Sequence, residues 1–218
     1  MRRLGVIVVV GGPLALLGWL LLWSPAFATE RVRVTGTERL QQDRVVAAAA
    51  VQQGIPLLRV DTDAVRLRVA ALAEVARVEV VRRWPRTVEV RITERQPLAG
   101  VLGPTGVTLY DRSGVAFARV RALPAGVVRL QVARPGPTDP TTRSALAVLA
   151  ELPPGMHARV RIVRAATPAG VTLLLRDGRA LVWGSPGDPL RKAAAAEALL
   201  RLPGQTFDVS RPGVVVRR

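Results

Sequence analysis

The sequence predicts an α+β protein in three parts. These are a single N-terminal transmembrane helix, a small β-α-α-β-β domain, and a mixed, mainly antiparallel sheet domain with two helices. Three observations predict it. Leu4 to Trp23 carries no charge. Residues 30–97 run through one alternating segment, two helix-like segments and two more alternating segments. Residues 98–218 hold short apolar runs parted by Gly, Pro and Asp turns, with two Ala- and Leu-rich stretches among them. The expected boundaries are a cytoplasmic tail at 1–3, a transmembrane helix at 4–23, and domains at 30–97 and 98–218.

A chain of 218 residues holds one or two domains beyond an anchor. Its hydrophobic fraction is 49% but its aromatic fraction only 4%, so Val, Leu and Ala must fill the cores. It has no cysteine, which excludes a disulfide framework and thiolate chemistry. The formal net charge is +16, carried almost wholly by arginine, since Lys192 is the only lysine. Such a balance suits nucleic acid or an anionic surface when it is clustered. Here Arg31, Arg33, Arg77, Arg91, Arg159 and Arg161 alternate with apolar residues along strands. No aromatic platform is interleaved with them, as single-strand binding needs. No nucleic acid is expected.

Twenty residues at about 1.5 Å rise span about 30 Å, the thickness of a bilayer core. Trp19 and Trp23 suit an interfacial belt, and Pro13 is tolerated in a membrane helix. Arg2 and Arg3 place the N-terminus in the cytoplasm by the positive-inside rule. A cleaved signal peptide is the competing reading, with Ala26-Phe27-Ala28 as its cleavage site. The apolar run exceeds the ~7–15 residues of a signal core, which favours a retained single-pass anchor. Both readings export residues 30–218.

Glu30–Val34 alternates charged and apolar residues, and Gly36 ends it. Gln42–Val51 reads as a helix with Val45, Val46 and Ala49 on its apolar face, stopped by Gly54 and Pro56. Asp61 or Thr62 caps a second helix running to about Ala71, with Ala64, Leu67 and Ala71 at helical spacing. Val75–Arg83 and Arg86–Glu94 form a hairpin across Trp84-Pro85-Arg86. Val88, Val90 and Ile92 share one face that the two helices must cover, giving helices on one side of a three-stranded sheet. Trp84 is expected to pack at the hairpin end.

This segment resembles a POTRA domain, and more closely that of the FtsQ/DivIB family of bacterial cell-division proteins. The residues that carry the resemblance are Val32-Arg33-Val34-Thr35-Gly36, Gly54-Ile55-Pro56-Leu57 and Val78 to Val90 with its Arg83-Trp84-Pro85 turn. Thr93-Glu94-Arg95-Gln96-Pro97 continues it.

Beyond residue 98, strands are expected at Leu98–Val101, Val107–Tyr110, Val115–Phe117, Val127–Val132, Arg159–Arg164, Val171–Arg176 and Arg179–Trp183. The last strands are Thr206–Val209 and Val214–Arg217. Asp111-Arg112-Ser113-Gly114 and Asp177-Gly178 are turns. Thr141–Glu151 reads as a helix with Leu146, Leu149 and Ala150 inward, ended by Pro153-Pro154-Gly155. Leu190–Arg201 is the other helix, with Asp188 as cap and Pro189 in its first turn. The family resemblance extends here through Leu109 to Phe117, Val182 to Lys192 and Phe207-Asp208-Val209-Ser210. A three-residue tail departs from relatives that carry more, so no cytoplasmic recruitment role is expected.

Nothing in the chain reads as catalytic. His157, the only histidine, is expected in an exposed loop after Pro153-Pro154-Gly155-Met156, where a Ser-His-Asp arrangement has no support. Clustered metal ligands and phosphate loops are absent from the sequence, and a helix cap explains Asp61 and Asp63. Lys192 is expected on a polar, solvated helix face, and the resemblance adds a role in holding the loop or in meeting a partner. No cofactor and no metal are expected.

The resemblance implies a bitopic scaffold of the bacterial divisome. It would bind FtsB- and FtsL-like division proteins outside the cytoplasm, at the septum, and regulate septal peptidoglycan synthesis. Other divisome proteins would meet the POTRA domain. The physical route is strand addition, in which an open sheet edge offers unpaired N–H and C=O groups to a partner strand. That places partner binding on Thr206, Phe207, Asp208, Val209, Ser210, Val214, Val215, Val216 and Arg217. A charged substitution at Val215 is expected to weaken it. A POTRA-type translocation or assembly component would instead carry repeated POTRA units or a barrel, which this sequence lacks. A basic cell-wall-binding or nucleic-acid-binding protein would lose affinity steeply with salt.

Overall fold

The computed structural model describes residues 18–19, 24–211 and 216–217. The anchor predicted at 4–23 therefore lies outside the described residues except for Gly18 and Trp19, as does the predicted cytoplasmic tail. Among the described residues no helix is long and apolar enough to cross a membrane. The chain divides into two compact units, residues 1–95 and 96–218.

The first unit has the predicted β-α-α-β-β order. Its strands are β1 (Arg31–Thr35), β2 (Val75–Arg83) and β3 (Thr87–Glu94), and its helices are α1 (Gln42–Ala49) and α2 (Thr62–Ala70). The sheet order is β1-β3-β2, with β1 parallel and β2 antiparallel to the central β3. Val88, Val90 and Ile92 face the helices together, as their alternation predicts. The helix faces differ in detail. Val45 and Ala49 are buried on α1, but Val46 is exposed. On α2 the buried pair is Val65 and Val69, four residues apart, and Leu67 is left 62% exposed. The expected Ala64-Leu67-Ala71 stripe is thus rotated, with Val65 and Val69 packed in the same core as Val88, Val90 and Ile92. Helix α1 ends at Ala49, since Ala50 itself adopts the left-handed conformation (φ 43°) and Gly54 serves the later turn. Asp61 caps α2 as predicted, its Oδ1 accepting the N–H of Asp63 and Ala64 at 3.0 and 2.9 Å.

Arginine side chains close helix ends in this unit. Arg68 donates to Ala49 O from Nε and Nη2 at 3.1 and 2.7 Å, satisfying the end of α1. Arg82 does the same for Leu57 O and Val60 O around the 3₁₀ turn Leu57–Arg59. Glu94, buried at the end of β3, accepts the N–H groups of Glu38, Arg39 and Leu40 at 2.7–3.1 Å. It thereby fixes the loop that leads from β1 into α1. Gly36 opens that loop at φ 84°, and a Cβ there would sit 2.0 Å from Ile92 O. Trp84 packs edge-on against Phe27 at 5.6 Å at the hairpin end and remains half exposed.

The second unit is one nine-stranded sheet in the order β12-β11-β10-β9-β8-β7-β4-β5-β6. Its strands are β4 (Ala99–Gly103), β5 (Gly106–Tyr110), β6 (Ala116–Val120), β7 (Val128–Gln131), β8 (Val160–Ala165) and β9 (Val171–Leu175). They continue with β10 (Ala180–Gly184), β11 (Thr206–Asp208) and β12 (Val216–Arg217). Only the β4–β7, β7–β8 and β10–β11 pairs are parallel, so the sheet is mixed and mainly antiparallel as expected. Three helices accompany it where two were predicted: α3 (Pro140–Glu151), α4 (Pro154–Arg159) and α5 (Pro189–Leu199). The extra one arises because Pro154 starts a helical turn as readily as it stops one. His157 therefore lies on α4, half-buried, and burial lowers its pKa. On α3, Ala145, Leu146, Val148 and Leu149 face the sheet, and Ala150 points to solvent against expectation. Asp139 caps α3 through Thr142 N–H at 2.7 Å. The Asp111 turn forms as predicted, with Oδ1 accepting the N–H of Ser113 and Val115 at 2.9 Å. Gly178, at φ 91°, turns β9 into β10.

Candidate partner-binding edge

Among the described residues, the sheet of the second unit ends at β12, whose single ladder neighbour is β11. The arrangement begins with β10. Leu181 and Trp183 point into the core, and β10 ends at Gly184. Gly184 has φ 77°, and a Cβ there would lie 2.7 Å from Ser210 Cβ. Glycine is thus required for the ends of β10 and β11 to lie side by side. The chain then enters α5. Lys192 on that helix is 2% exposed, and its Nζ donates to Ser185 O at 2.7 Å. This corrects the solvated placement expected for it. The aliphatic stem is buried, and the ammonium ties down the loop between β10 and α5, the holding role implied by the resemblance. Burial lowers its pKa, with Asp188 opposing the shift.

After α5 the chain returns as β11, parallel to β10 with Leu181 opposite Phe207. Ala180 N–H donates to Gln205 O at 2.8 Å and Val209 N–H to Val182 O at 2.9 Å, extending the ladder beyond both ends of β11. Phe207 and Val209 are each 1% exposed and belong to the core, while Thr206, Asp208 and Ser210 are half-buried. Asp208 Oδ1 accepts Ser210 N–H at 2.8 Å, an Asx turn that bends the chain out of β11. Strand β12 then pairs back, Val216 opposite Asp208 and Arg217 opposite Phe207.

The nine expected site residues thus divide. Phe207 and Asp208 lie between two strands, with ladder partners on both sides, and Thr206 pairs with Ala180 of β10. Phe207 and Val209 anchor the edge from beneath. Val216 and Arg217 form the outermost strand, and Val214 and Val215 lie outside the described residues. Sequence reasoning missed Gly184. Its signal was faint, a lone Gly after an apolar strand.

Among the described residues no group of His, Asp or Glu side chains is placed to hold a metal ion. Two carboxylates with lowered pKa have structural partners. Hydrogen bonds from Arg83 and Arg91 hold Glu89 below the usual carboxylate range. Burial pushes Glu94 upward, but the amides of Leu40, Glu38 and Arg39 outweigh it and hold it low.

Comparison with known proteins accords with this geometry. The family model for the FtsQ-type POTRA domain matches residues 27–95. The cell division protein FtsQ of Streptomyces collinus is 38% identical over 229 residues, covering 97% of this chain and 87% of that protein. The chain belongs to the FtsQ family of cell division proteins. FtsQ of Mycolicibacterium smegmatis is 44% identical over 196 residues, covering 90% of this chain and 59% of its own length. FtsQ of Mycobacterium tuberculosis H37Rv is 38% identical, with 62% of its length covered. The chain therefore spans about three fifths of the length of these mycobacterial members of the family.

Proposed function

We propose that the protein is a bitopic scaffold of the bacterial divisome that binds FtsB- and FtsL-like division proteins by strand addition at β12. The family membership supplies the process. The observation that carries the site is the place of β12 at the end of the sheet, paired on one side only among the described residues. An open edge presents a row of backbone donors and acceptors to an extended partner. Gly184, the buried Phe207 and Val209, and the Asp208 turn hold that edge against a rigid core. The partner would thus meet a preorganised surface, which lowers the ordering cost of binding.

Residues 4–23 form the single-pass anchor, with the N-terminus in the cytoplasm and residues 30–218 outside. The long uncharged run and the preceding Arg2 and Arg3 support this topology. Held at the septum in this way, the scaffold regulates septal peptidoglycan synthesis through its partners and performs no catalysis itself.

A titration of an FtsB/FtsL-type partner against the full chain and its Arg217→Pro variant tests the assignment, because Val216 lies opposite Asp208 with its amide turned to β11, whereas the amide of Arg217 points outward. Proline removes a backbone donor from the outermost strand. Partner affinity is expected to fall at least about ten-fold while the thermal midpoint holds. Unchanged affinity would remove β12 from the interface.

A further inference from the structure

The first unit has an open edge of its own. Among the described residues, strand β1 pairs with β3 alone. Arg31 N–H is aimed at β3, donating to Arg86 O at 3.3 Å. Backbone groups alternate in direction along a strand, so those of Val32 and Val34 point away from the sheet. Beside them lies an open groove of about 410 Å³, bounded by Arg31 to Val34, Thr87 and Gln42 at the start of α1.

The side chains give this edge a sign. Arg31 and Arg33 stand on the face of the sheet away from the helices, both exposed, and neither forms an ion pair among the described residues. Their neighbours on that face are already committed. Arg83 and Arg91 both hold Glu89, at 2.5 and 3.0 Å, and Arg91 also reaches Glu79. The opposite edge, β2, is interrupted by a register shift between Val75 and Arg77, a device that blunts strand pairing. The free backbone and the free charge therefore coincide at β1.

We propose that the β1 edge is a second strand-addition site, which takes an extended acidic segment of a protein partner. Residues of the added strand beside Arg31 and Arg33 share their face and are acidic. The residues between them turn toward the groove beside Val32, Val34 and Gln42 and are small and apolar. A second copy of this chain is disfavoured as occupant, because edge-to-edge pairing of β1 with itself sets arginines against arginines. The site is independent of β12, so the two can be tested apart.

The experiment uses the full chain in neutral detergent and a capped peptide of alternating Glu and Val, eight residues long. Binding is read by titration and by hydrogen exchange of the Val32 and Val34 amides. The peptide is expected to bind and to slow exchange at both amides. The same peptide with every amide methylated, and a Lys-Val counterpart, are expected not to bind. Arg31→Glu, whose ladder partner is Thr87 and not an acid, is expected to weaken binding about ten-fold. Arg217→Pro in the other unit is expected to leave it unchanged. Failure of the Glu-Val peptide to bind, or equal binding of its methylated form, would overturn the proposal. So would slowed exchange at Val32 and Val34 with phosphatidylglycerol-doped micelles and not with the peptide, which would assign the edge to a membrane surface.

Discussion

Removing the buried Glu94 carboxylate should loosen the first unit. The carboxylate is the sole side-chain partner seen for three successive amides, at 2.7, 3.0 and 2.8 Å for Glu38, Arg39 and Leu40. Hydrogen bonds to a charged group contribute about 1.5–3 kcal/mol each. The amides of Glu38 and Arg39 are partly exposed and regain water, whereas that of Leu40 is buried. Glu94→Ala should therefore cost about 3 kcal/mol, nearer to one full charged bond plus one buried orphan than to three bonds. Glu94→Gln keeps one acceptor oxygen and should cost about half as much. The pH dependence has a definite sign. The folded carboxyl lies below its ordinary value. Its contribution is thus complete above the unfolded pKa of about 4.3 and is lost as pH falls through the folded value. Urea denaturation of the full chain between pH 7 and pH 3, followed at Leu40 by hydrogen exchange, reads both effects. A cost below about 0.5 kcal/mol for Glu94→Ala, or the same acid-side loss in Glu94→Gln as in the parent, would refute this reasoning.

Gly184→Ala should destabilise the second unit by about 1–3 kcal/mol, since the residue sits at φ 77° with Ser210 in its way. It should also weaken partner binding, measured by titration beside a thermal melt. Lys192→Met should remove an alkaline rise in stability. The buried lysine sheds its proton before the unfolded one does, so stability increases with pH in the window just below 10.5, as paired urea titrations would show. Trp84→Ala should lower stability by about 0.5–1.5 kcal/mol through the lost contact with Phe27, and leave partner affinity at β12 unchanged.

What was legible in the sequence was local. The Val88-Val90-Ile92 alternation, the Asp61 cap and the Asp177-Gly178 turn each depend on a few neighbouring residues, and each forms as read. What was not legible depends on residues far apart. Whether Leu67 or Val65 faces the sheet is decided by how α2 is seated on the core of the first unit, where Val65 packs and Leu67 does not. Lys192 is buried because its stem packs in the second core, which spacing along α5 does not reveal. Glu94 looks like any polar residue ending a strand until the loop at 38–40 folds onto it, more than fifty residues away in sequence. The terminal strands were recognised from the valine run and the Phe207-Asp208-Val209 segment. Their division into an anchored inner strand and an open outer one required the sheet order. The unpaired pair Arg31 and Arg33 was visible as an alternation, but its freedom from ion pairs was not.

Strand addition at the end of the nine-stranded sheet is tested most directly by backbone hydrogen exchange of the full chain with and without an FtsB/FtsL-type partner. Exchange should slow at Arg217, whose amide points away from β11, and the amides of β6 at the far edge should be unaffected. Protection confined to β6 or to the helices, with Arg217 exchanging as in the free protein, would contradict it.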